Sequence, residues 1–290
     1  MSNLKGVGVA LVTPFNEDLS LDFEALTKLV DYNIENGTNY LVVLGTTAEA
    51  ATLSTEEKLQ VINHIVQANN GRVPLVLGIG GNNTMEVKKQ IEEADLSAFE
   101  AVLSVSPYYN KPNQEGLYQH YKMLAGTGKK IIIYNVPSRT GQNIEAATTL
   151  RLAKEFPNLM MIKEAAPNIL QYFDILRQKP ENFTLVSGDD EFTLPVTLAG
   201  GNGVISVIGQ GYPKEFSTMV QLAFDGKVKE AYEIHNKLVE ITRLIFAEGN
   251  PAGIKMVLAE KGIIKNYLRL PLVRASDGLQ EKIKAEMKNI

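Results

Sequence analysis

Apolar residues in this 290-residue chain gather into eight short runs of strand length. The runs cover residues 7–12, 40–44, 74–79, 101–105, 131–134, 159–162, 183–187 and 203–208. Most of the stretches between them carry apolar residues at helical spacing. Continuous apolar strands that alternate with helices are typical of a parallel sheet buried on both faces, and eight such units predict a closed (β/α)8 TIM barrel.

An open doubly wound sheet would show the same alternation and is the alternative architecture. Eight regular units, without a Gly-x-Gly-x-x-Gly motif after the first run, favour the barrel. In either architecture, functional side chains lie at the carboxyl ends of the strands.

Start and stop signals support helices between the runs. Ser54 and Glu57 are predicted to form a capping box, in which the side chain of each accepts a hydrogen bond from the backbone amide of the other. An earlier helix begins at Asp22 and ends at Gly37. Further helices are predicted over residues 84–96, 114–125, 145–156 and 168–177.

Strand signals cease after residue 211, and the rest of the chain is predicted to be helical. Helical spacing covers about 213–224, 227–247, 251–261 and 277–289. The first of these segments can serve as the eighth helix of the barrel. The sequence therefore predicts a catalytic barrel over residues 1–224 and a small helical C-terminal domain over residues 225–290.

Charge and cysteine content narrow the range of functions. The formal net charge is −4 with interspersed charges, so the chain offers no basic field for nucleic acid, and we expect small-molecule substrates. The absence of cysteine excludes disulfides, thiol nucleophiles and thiolate metal sites. The start lacks a signal-peptide apolar region, and no apolar stretch approaches the ~20 residues that span a bilayer. We therefore expect a cytoplasmic protein without a membrane partner.

The histidines do not suggest a metal site. His64, His120 and His235 fall on three separate predicted helices, and none belongs to a His-x-x-x-His pair. We expect no metal and no cofactor, so any carbanion chemistry would use an imine as its electron sink.

The sixth run ends in a lysine, Lys163. A lysine at the end of a buried strand can be partly desolvated, which favours the neutral amine that forms a Schiff base with a keto acid. A lysine in this position more often extends its ammonium group to solvent, and for this residue alone that alternative stays open.

Other strands end in hydroxyls, a phenol and a guanidinium. The second run leads into Gly45-Thr46-Thr47-Ala48-Glu49, and the fifth leads into Tyr134-Asn135-Val136-Pro137-Ser138-Arg139-Thr140. Because parallel strands open their carboxyl ends on one face, we expect these groups to surround Lys163. Together they have the composition of an active site.

Three further loops have a structural interpretation, and two of them also have a functional one. Ser106-Pro107-Tyr108-Tyr109-Asn110 is either a rigid loop of packed rings or the holder of a proton-relaying phenol. Ser187-Gly188-Asp189-Asp190 could cap the following helix. The glycines around Gly203 allow close approach to a ligand or merely a tight turn.

Five motifs, in order, resemble the dihydrodipicolinate synthase / N-acetylneuraminate lyase family over the whole chain. They are the segments 45–49, 106–110, 134–140, 162–164 and 203–207. Ser138-Arg139-Thr140 resembles the synthase branch. The resemblance implies a (β/α)8 barrel whose lysine condenses with pyruvate, after which the enamine attacks L-aspartate 4-semialdehyde. The implied product is 4-hydroxy-tetrahydrodipicolinate, in the route to diaminopimelate and lysine.

The resemblance also implies residue roles. Lys163 would form the Schiff base, and Tyr134 would shuttle protons in a hydroxyl relay with Thr46 and with Tyr109 of a neighbouring subunit. The implied assembly is a homotetramer built from two dimers. The implied substrate-binding residues are Thr47, Ile205 through its backbone, Gly188, and Arg139 for the carboxylate of the second substrate.

Some members of the family are inhibited by lysine at a subunit interface. The matching positions here are Ala50, Ala51, Thr55, Lys58, Asn82, Glu86 and Tyr108. Ala50, Thr55 and Lys58 depart from sensitive members, which tend to carry Ser and two His there. Because Lys58 places a cation beside a ligand with two ammonium groups, we predict weak or absent inhibition, unless the flexible Lys58 stem extends into solvent.

Two other functions stay open. A pyruvate-dependent lyase acting on a sugar acid, such as N-acetylneuraminate lyase, would carry a different residue in place of Arg139. A non-enzymatic barrel that binds small molecules would have no need for a reactive Lys163. One further departure from many synthases is Ala48, which stands in a position they fill with Gly.

Overall fold

The computed structural model describes residues 4–290, and its strands form a closed, fully parallel eight-stranded barrel. The strands are β1 (Gly6–Ala10), β2 (Tyr40–Val43), β3 (Leu75–Gly78), β4 (Ala101–Val105), β5 (Ile131–Asn135), β6 (Leu159–Glu164), β7 (Thr184–Ser187) and β8 (Gly203–Ser206). Strand β8 pairs with β1 and closes the barrel. The predicted TIM barrel is confirmed, with one strand in each predicted run. Residues 1–3, at which the predicted barrel domain begins, lie outside the described part.

Helices connect the strands and continue beyond the last one. They are α1 (Phe23–Glu35), α2 (Thr55–Asn69), α3 (Thr84–Glu93), α4 (Gln114–Ala125), α5 (Pro137–Thr140), α6 (Ala146–Glu155), α7 (Ile169–Gln178), α8 (Thr193–Leu198), α9 (Pro213–Phe224), α10 (Val228–Phe246), α11 (Ala252–Glu260) and α12 (Asp277–Glu286). The capping box from Ser54 to Glu57 is present at α2, and the Asp22 side chain caps α1. No helix within residues 4–290 is long and apolar enough to cross a membrane.

The loop after β7 departs from expectation. The predicted Asp cap at the next helix is wrong, because α8 begins without a side-chain cap. The Asp190 carboxylate instead accepts hydrogen bonds from the backbone N–H groups of Val207 and Ile208, at 3.1 and 3.0 Å, just after β8. Burial raises the pKa of Asp190 to about 6, and these hydrogen bonds oppose that rise. Asp190 therefore ties the end of β8 to the loop after β7.

Alternation along the strands decides which side chains enter the barrel, because successive residues of a strand point to opposite faces. Ile132 of β5 and Met161 of β6 belong to the cluster that fills the barrel. Ile133 and Ile162, one position later, pack against the helices instead. The next inward positions are Tyr134 and Lys163, at the carboxyl ends of their strands.

The C-terminal helices share a core with the barrel. Leu238 and Ile241 of α10, and Val257 of α11, belong to the same buried cluster as Val7 and Leu41 of the first two strands. This packing brings the segment around α11 close to the loop that follows β2. The contacts made there bear directly on the candidate site.

Candidate active site

Lys163 and Tyr134 lie side by side within the barrel. They are cross-strand partners in the β5–β6 register. Lys163 is only 4% exposed and Tyr134 only 7%. Lys163 Nζ lies 4.4 Å from the centroid of the Tyr134 ring. The alternative in which the lysine extends to solvent is therefore wrong. A buried amine beside a phenol can attack a carbonyl carbon and find a proton donor close by.

Gly188 borders the lysine side chain. A Cβ atom added at Gly188 would lie 3.0 Å from both Cγ and Cε of Lys163, and 2.8 Å from Cβ of Ala165. The Gly188 N–H also donates to the Glu164 carbonyl at 2.6 Å, which holds the end of β7 against the end of β6. A side chain at this position would compete with Lys163 for space, so the glycine leaves room for the lysine side chain.

The two threonines after β2 differ in their environment. Thr46 is exposed, whereas Thr47 is buried and its Oγ1 accepts a hydrogen bond from Asn250 Nδ2 at 2.9 Å. A hydroxyl that accepts from an amide keeps its own hydrogen for another acceptor. Thr47 is therefore arranged to donate to an anionic ligand group.

Asn250 also contacts the predicted second-substrate residue. Arg139 Nη2 donates to the Asn250 carbonyl oxygen at 3.1 Å, so Asn250 joins Arg139 to Thr47. In the sequence, Asn250 lies in the gap between the predicted helical segments 227–247 and 251–261. A polar residue held in such a break is the one signal that could have drawn attention to it.

A buried ion pair anchors the loop that carries the threonines. Glu49 has a left-handed backbone with φ of 54°, and its Oε1 lies 2.5 Å from Lys255 Nζ, with both side chains fully buried. Glu49 Oε2 accepts from the Arg269 N–H at 3.0 Å. Burial lowers the pKa of Lys255 to about 8, and Glu49 opposes the shift. Because removing one partner of a buried pair is costly, this contact fixes the loop against α11.

Ile205 is fully buried in β8 and faces the inside of the barrel. Gly203, two residues earlier, allows β8 to pack closely against β1. It has a φ of 106°, and a Cβ there would lie 2.1 Å from the Gly6 carbonyl oxygen. The close approach that this glycine allows is thus to the backbone of β1.

Tyr109 stands apart from the buried residues. Its side chain is on the surface, the residue is 89% exposed, and its φ of 72° is unusual for a bulky residue. The interpretation as a packed ring is wrong for Tyr109. Across residues 4–290, no hydrogen bond links Tyr109 or Thr46 to Tyr134, so this chain by itself does not bring the predicted relay together.

The predicted lysine-site residues are exposed or half-buried. Ala51, Thr55 and Glu86 are exposed, Tyr108 is 42% exposed, and the remaining members, Ala50, Lys58 and Asn82, are half-buried. Glu86 accepts from Gln90 Nε2 at 3.0 Å, and the described chain shows no ion pair between Glu86 and Lys58. Their part in regulation stays a prediction.

The histidines make ordinary polar contacts. His64 Nε2 lies 2.8 Å from Thr27 Oγ1, and His120 Nδ1 lies 2.9 Å from Thr84 Oγ1. Burial lowers the pKa of His120 to about 4, which keeps its ring neutral near pH 7. Within residues 4–290, no three acidic or histidine side chains form a metal-binding group.

Comparisons with known proteins agree with this geometry. The family model described as the dihydrodipicolinate synthetase family matches residues 3–290. A curated 4-hydroxy-tetrahydrodipicolinate synthase from Flavobacterium psychrophilum is 57% identical over 279 residues, which cover 96% of this chain and 95% of the relative.

Solved structures show the same likeness over the full length. The dihydrodipicolinate synthase from Thermotoga maritima has a TM-score of 0.95 at 39% identity, covering 98% of each chain. The chloride-inhibited dihydrodipicolinate synthase from Acinetobacter baumannii, complexed with pyruvate, has a TM-score of 0.95 at 39% identity and covers 99% of this chain and 98% of that one.

Proposed function

The chain belongs to the dihydrodipicolinate synthetase family, and from this premise we propose that Lys163 is the amine that forms a Schiff base with pyruvate. The protein is a lyase that condenses pyruvate with L-aspartate 4-semialdehyde to give 4-hydroxy-tetrahydrodipicolinate, in lysine and diaminopimelate biosynthesis. Relatives named for this synthase favour it over the cleavage of a sugar acid.

The single observation that carries the proposal is the burial of Lys163 against Tyr134. The amine attacks the keto carbon of pyruvate, and loss of water leaves an iminium, a step that needs an acid and then a base. Tyr134, whose ring centroid lies 4.4 Å from Nζ, carries a phenol hydroxyl that can serve as both. The iminium makes the pyruvate methyl protons acidic, so loss of one gives a neutral enamine that forms the new carbon–carbon bond with the aldehyde.

The surrounding residues hold the carboxylates. Thr47 donates its free hydroxyl hydrogen to the pyruvate carboxylate, with the backbone near Ile205 and Gly188 lining the same space. Arg139 is exposed at the rim and presents its remaining donors to the carboxylate of the semialdehyde. The family resemblance implies these roles, and the position and donor chemistry of each residue support them.

The relay is completed across a subunit interface in this proposal. Tyr109 projects from the surface, where it can enter the site of a neighbouring copy and meet Thr46 and Tyr134 there. The assembly is a homotetramer made of two such dimers, acting in the cytoplasm without nucleic acid or membrane partners. Ala51, Lys58, Asn82, Glu86 and Tyr108 form a lysine site of low affinity beside this interface.

Reductive trapping tests the proposal. Pyruvate and borohydride together should leave a reduced pyruvate adduct on Lys163, because only an imine at that amine can be trapped in this way. Mass spectrometry of the digested protein locates the adduct. An adduct on another lysine, or no adduct, would contradict the mechanism. Trapping with N-acetylneuraminate in place of pyruvate tests whether the protein also accepts a sugar acid.

A further inference from the structure

The residues that follow Tyr134 and Lys163 also form a pair. Asn135 and Glu164 are cross-strand partners in the β5–β6 register, and both are completely buried. Since alternate residues face opposite sides of a strand, this second pair points out of the barrel, toward the helices. One pair of strand ends thus carries the reacting groups on the inside and a polar pair on the outside.

Three N–H donors meet the Glu164 carboxylate. Oε1 accepts from Asn135 Nδ2 and from the Ala166 backbone N–H, each at 2.8 Å, and Oε2 accepts from Gln171 Nε2 at 2.8 Å. Burial raises the pKa of Glu164 to about 7, while these three hydrogen bonds oppose the rise. A buried carboxylate with this many donors makes strong, directional contacts.

Further hydrogen bonds of these residues reach the segments on both sides of β6. Asn135 Oδ1 accepts from the Ile144 N–H at 3.0 Å, and the Asn135 carbonyl accepts from the Ala165 N–H at 2.9 Å. Gln171, on α7, also bonds to the Ile144 carbonyl. The Glu164 carbonyl accepts from Gly188, so β5, β6, β7 and α7 all converge on residue 164.

We propose that Glu164 is a positioning residue for Schiff-base formation: by fixing the backbone where β5 and β6 end, its carboxylate sets the separation of the Lys163 amine and the Tyr134 phenol. Neither Asn135 nor Glu164 touches the interior of the barrel, so the effect passes through the two strand ends. Misplacing reacting groups by about 1 Å can cost about a hundredfold in rate. This proposal rests on the proposed function of Lys163.

Glu164→Gln is the main test, because it keeps size and shape. One oxygen remains to accept from Asn135 and Ala166, but the new amide turns a donor toward the donor of Gln171. We expect the rate of imine formation at saturating pyruvate to fall about tenfold to a hundredfold, while the KM for pyruvate changes less than about threefold. Rapid-quench trapping with borohydride measures the rate for each correctly folded site.

Asn69→Ala provides the matched control. Asn69 is also buried, and its amide bonds to both backbone groups of Val73, but it lies before β3 at the opposite end of the barrel. Asn69→Ala should lower the midpoint of thermal unfolding but leave the rate of imine formation per trappable site unchanged. The proposal would be overturned if Glu164→Gln formed the imine as fast per site as the wild type. It would also be overturned if Asn69→Ala slowed imine formation per site as much as Glu164→Gln does.

A milder variant decides the case if Glu164→Gln does not fold. Gln171→Met removes one donor from the carboxylate and keeps the volume on α7, so we expect a rate loss of severalfold with an unchanged KM for pyruvate. A wild-type rate in this variant would then overturn the proposal. Wild-type protein without any adduct on Lys163 would instead reject the proposed function itself, so the two failures are distinguishable.

Discussion

The two sides of the candidate site differ in how much one chain supplies. On one side, Lys163, Tyr134 and Thr47 are buried, and backbone register or hydrogen bonds fix each of them. The proposed relay also draws on an exposed side: Thr46 and Tyr109 are both exposed, and Tyr109 has a left-handed backbone conformation. The buried side is preorganised by the fold of one chain, whereas we propose that a neighbouring copy completes the exposed side.

This difference matters for proton transfer. A chain of hydroxyls can move protons efficiently only where water does not compete for the same hydrogen bonds. In our proposal a neighbouring copy therefore covers the exposed side, whereas one chain already encloses Lys163 and Tyr134. Covalent chemistry and subunit assembly should then respond to different substitutions.

Lys163→Ala should have the largest effect. It removes the nucleophile, so nearly all turnover and all borohydride trapping should be lost, whereas the fold persists because the strand pairing is unchanged. Steady-state turnover and circular dichroism measure the two effects. Lys154→Ala, at an exposed position of α6, is the control and should retain wild-type activity. Substantial turnover by Lys163→Ala would show that another group carries the covalent step.

Tyr109→Phe tests the exposed side. Loss of one relay hydroxyl should lower turnover about a hundredfold, within the usual range for acid–base catalysis. In a hybrid dimer of Tyr109→Phe with Lys163→Ala, one of the two sites combines an intact Lys163 with a partner's intact Tyr109. By this symmetry, verified hybrids should regain about half of the wild-type activity. Hybrids that stay inactive would indicate that Tyr109 acts within its own chain.

Arg139→Ala should have an intermediate effect, mainly on the second substrate. Charge-assisted contacts contribute about 1.5–3 kcal/mol each, so kcat/KM for the semialdehyde should fall about tenfold or more. Pyruvate should still form its imine, with a much smaller loss that reflects the contact of Arg139 with Asn250. Arg177→Ala, an exposed arginine on α7, controls for general loss of surface charge. Equal losses in trapping and in turnover would make Arg139 a structural residue.

Feedback by lysine should be the smallest effect. Two like charges 4 Å apart cost about 1 kcal/mol in water and about 4 kcal/mol at an effective dielectric of 20, so Lys58 should weaken lysine binding by about one to three decades. A dose–response curve at saturating pyruvate measures it. Lys58→His should increase the sensitivity. Full inhibition of the wild type at sub-millimolar lysine would show that the Lys58 ammonium group turns away from the pocket.

Local sequence patterns were sufficient for one part of the site only. Lys163 and Tyr134 could be placed together at the carboxyl ends of parallel strands, because an apolar run and the residues that end it are local features of the sequence. Whether Lys163 points inward or to solvent stayed open until the structure showed its burial. The contact between Asn250 and Thr47 joins positions 203 residues apart, and no periodicity reports such a pair. The Glu49–Lys255 pair was missed for the same reason.

Short elements were missed for a different reason. Helices α5 and α8 have only four and six residues, which is too few to show helical periodicity. Packing against their neighbours, rather than intrinsic propensity, decides whether such segments become helical. The exposure of Tyr109 likewise depends on how a whole loop leaves the barrel, which its composition of aromatic and proline residues does not specify.

The contact between Asn250, Thr47 and Arg139 constrains how this enzyme could be redesigned. A library that varies residue 139 to accept a different aldehyde also removes the donor that holds the Asn250 carbonyl. Loosening Asn250 then disturbs Thr47, which we propose binds the pyruvate carboxylate, so variants selected for a new aldehyde should use pyruvate somewhat less well. Productive redesign should randomise positions 139 and 250 together, and screen for retained keto-acid use before selecting for the new acceptor.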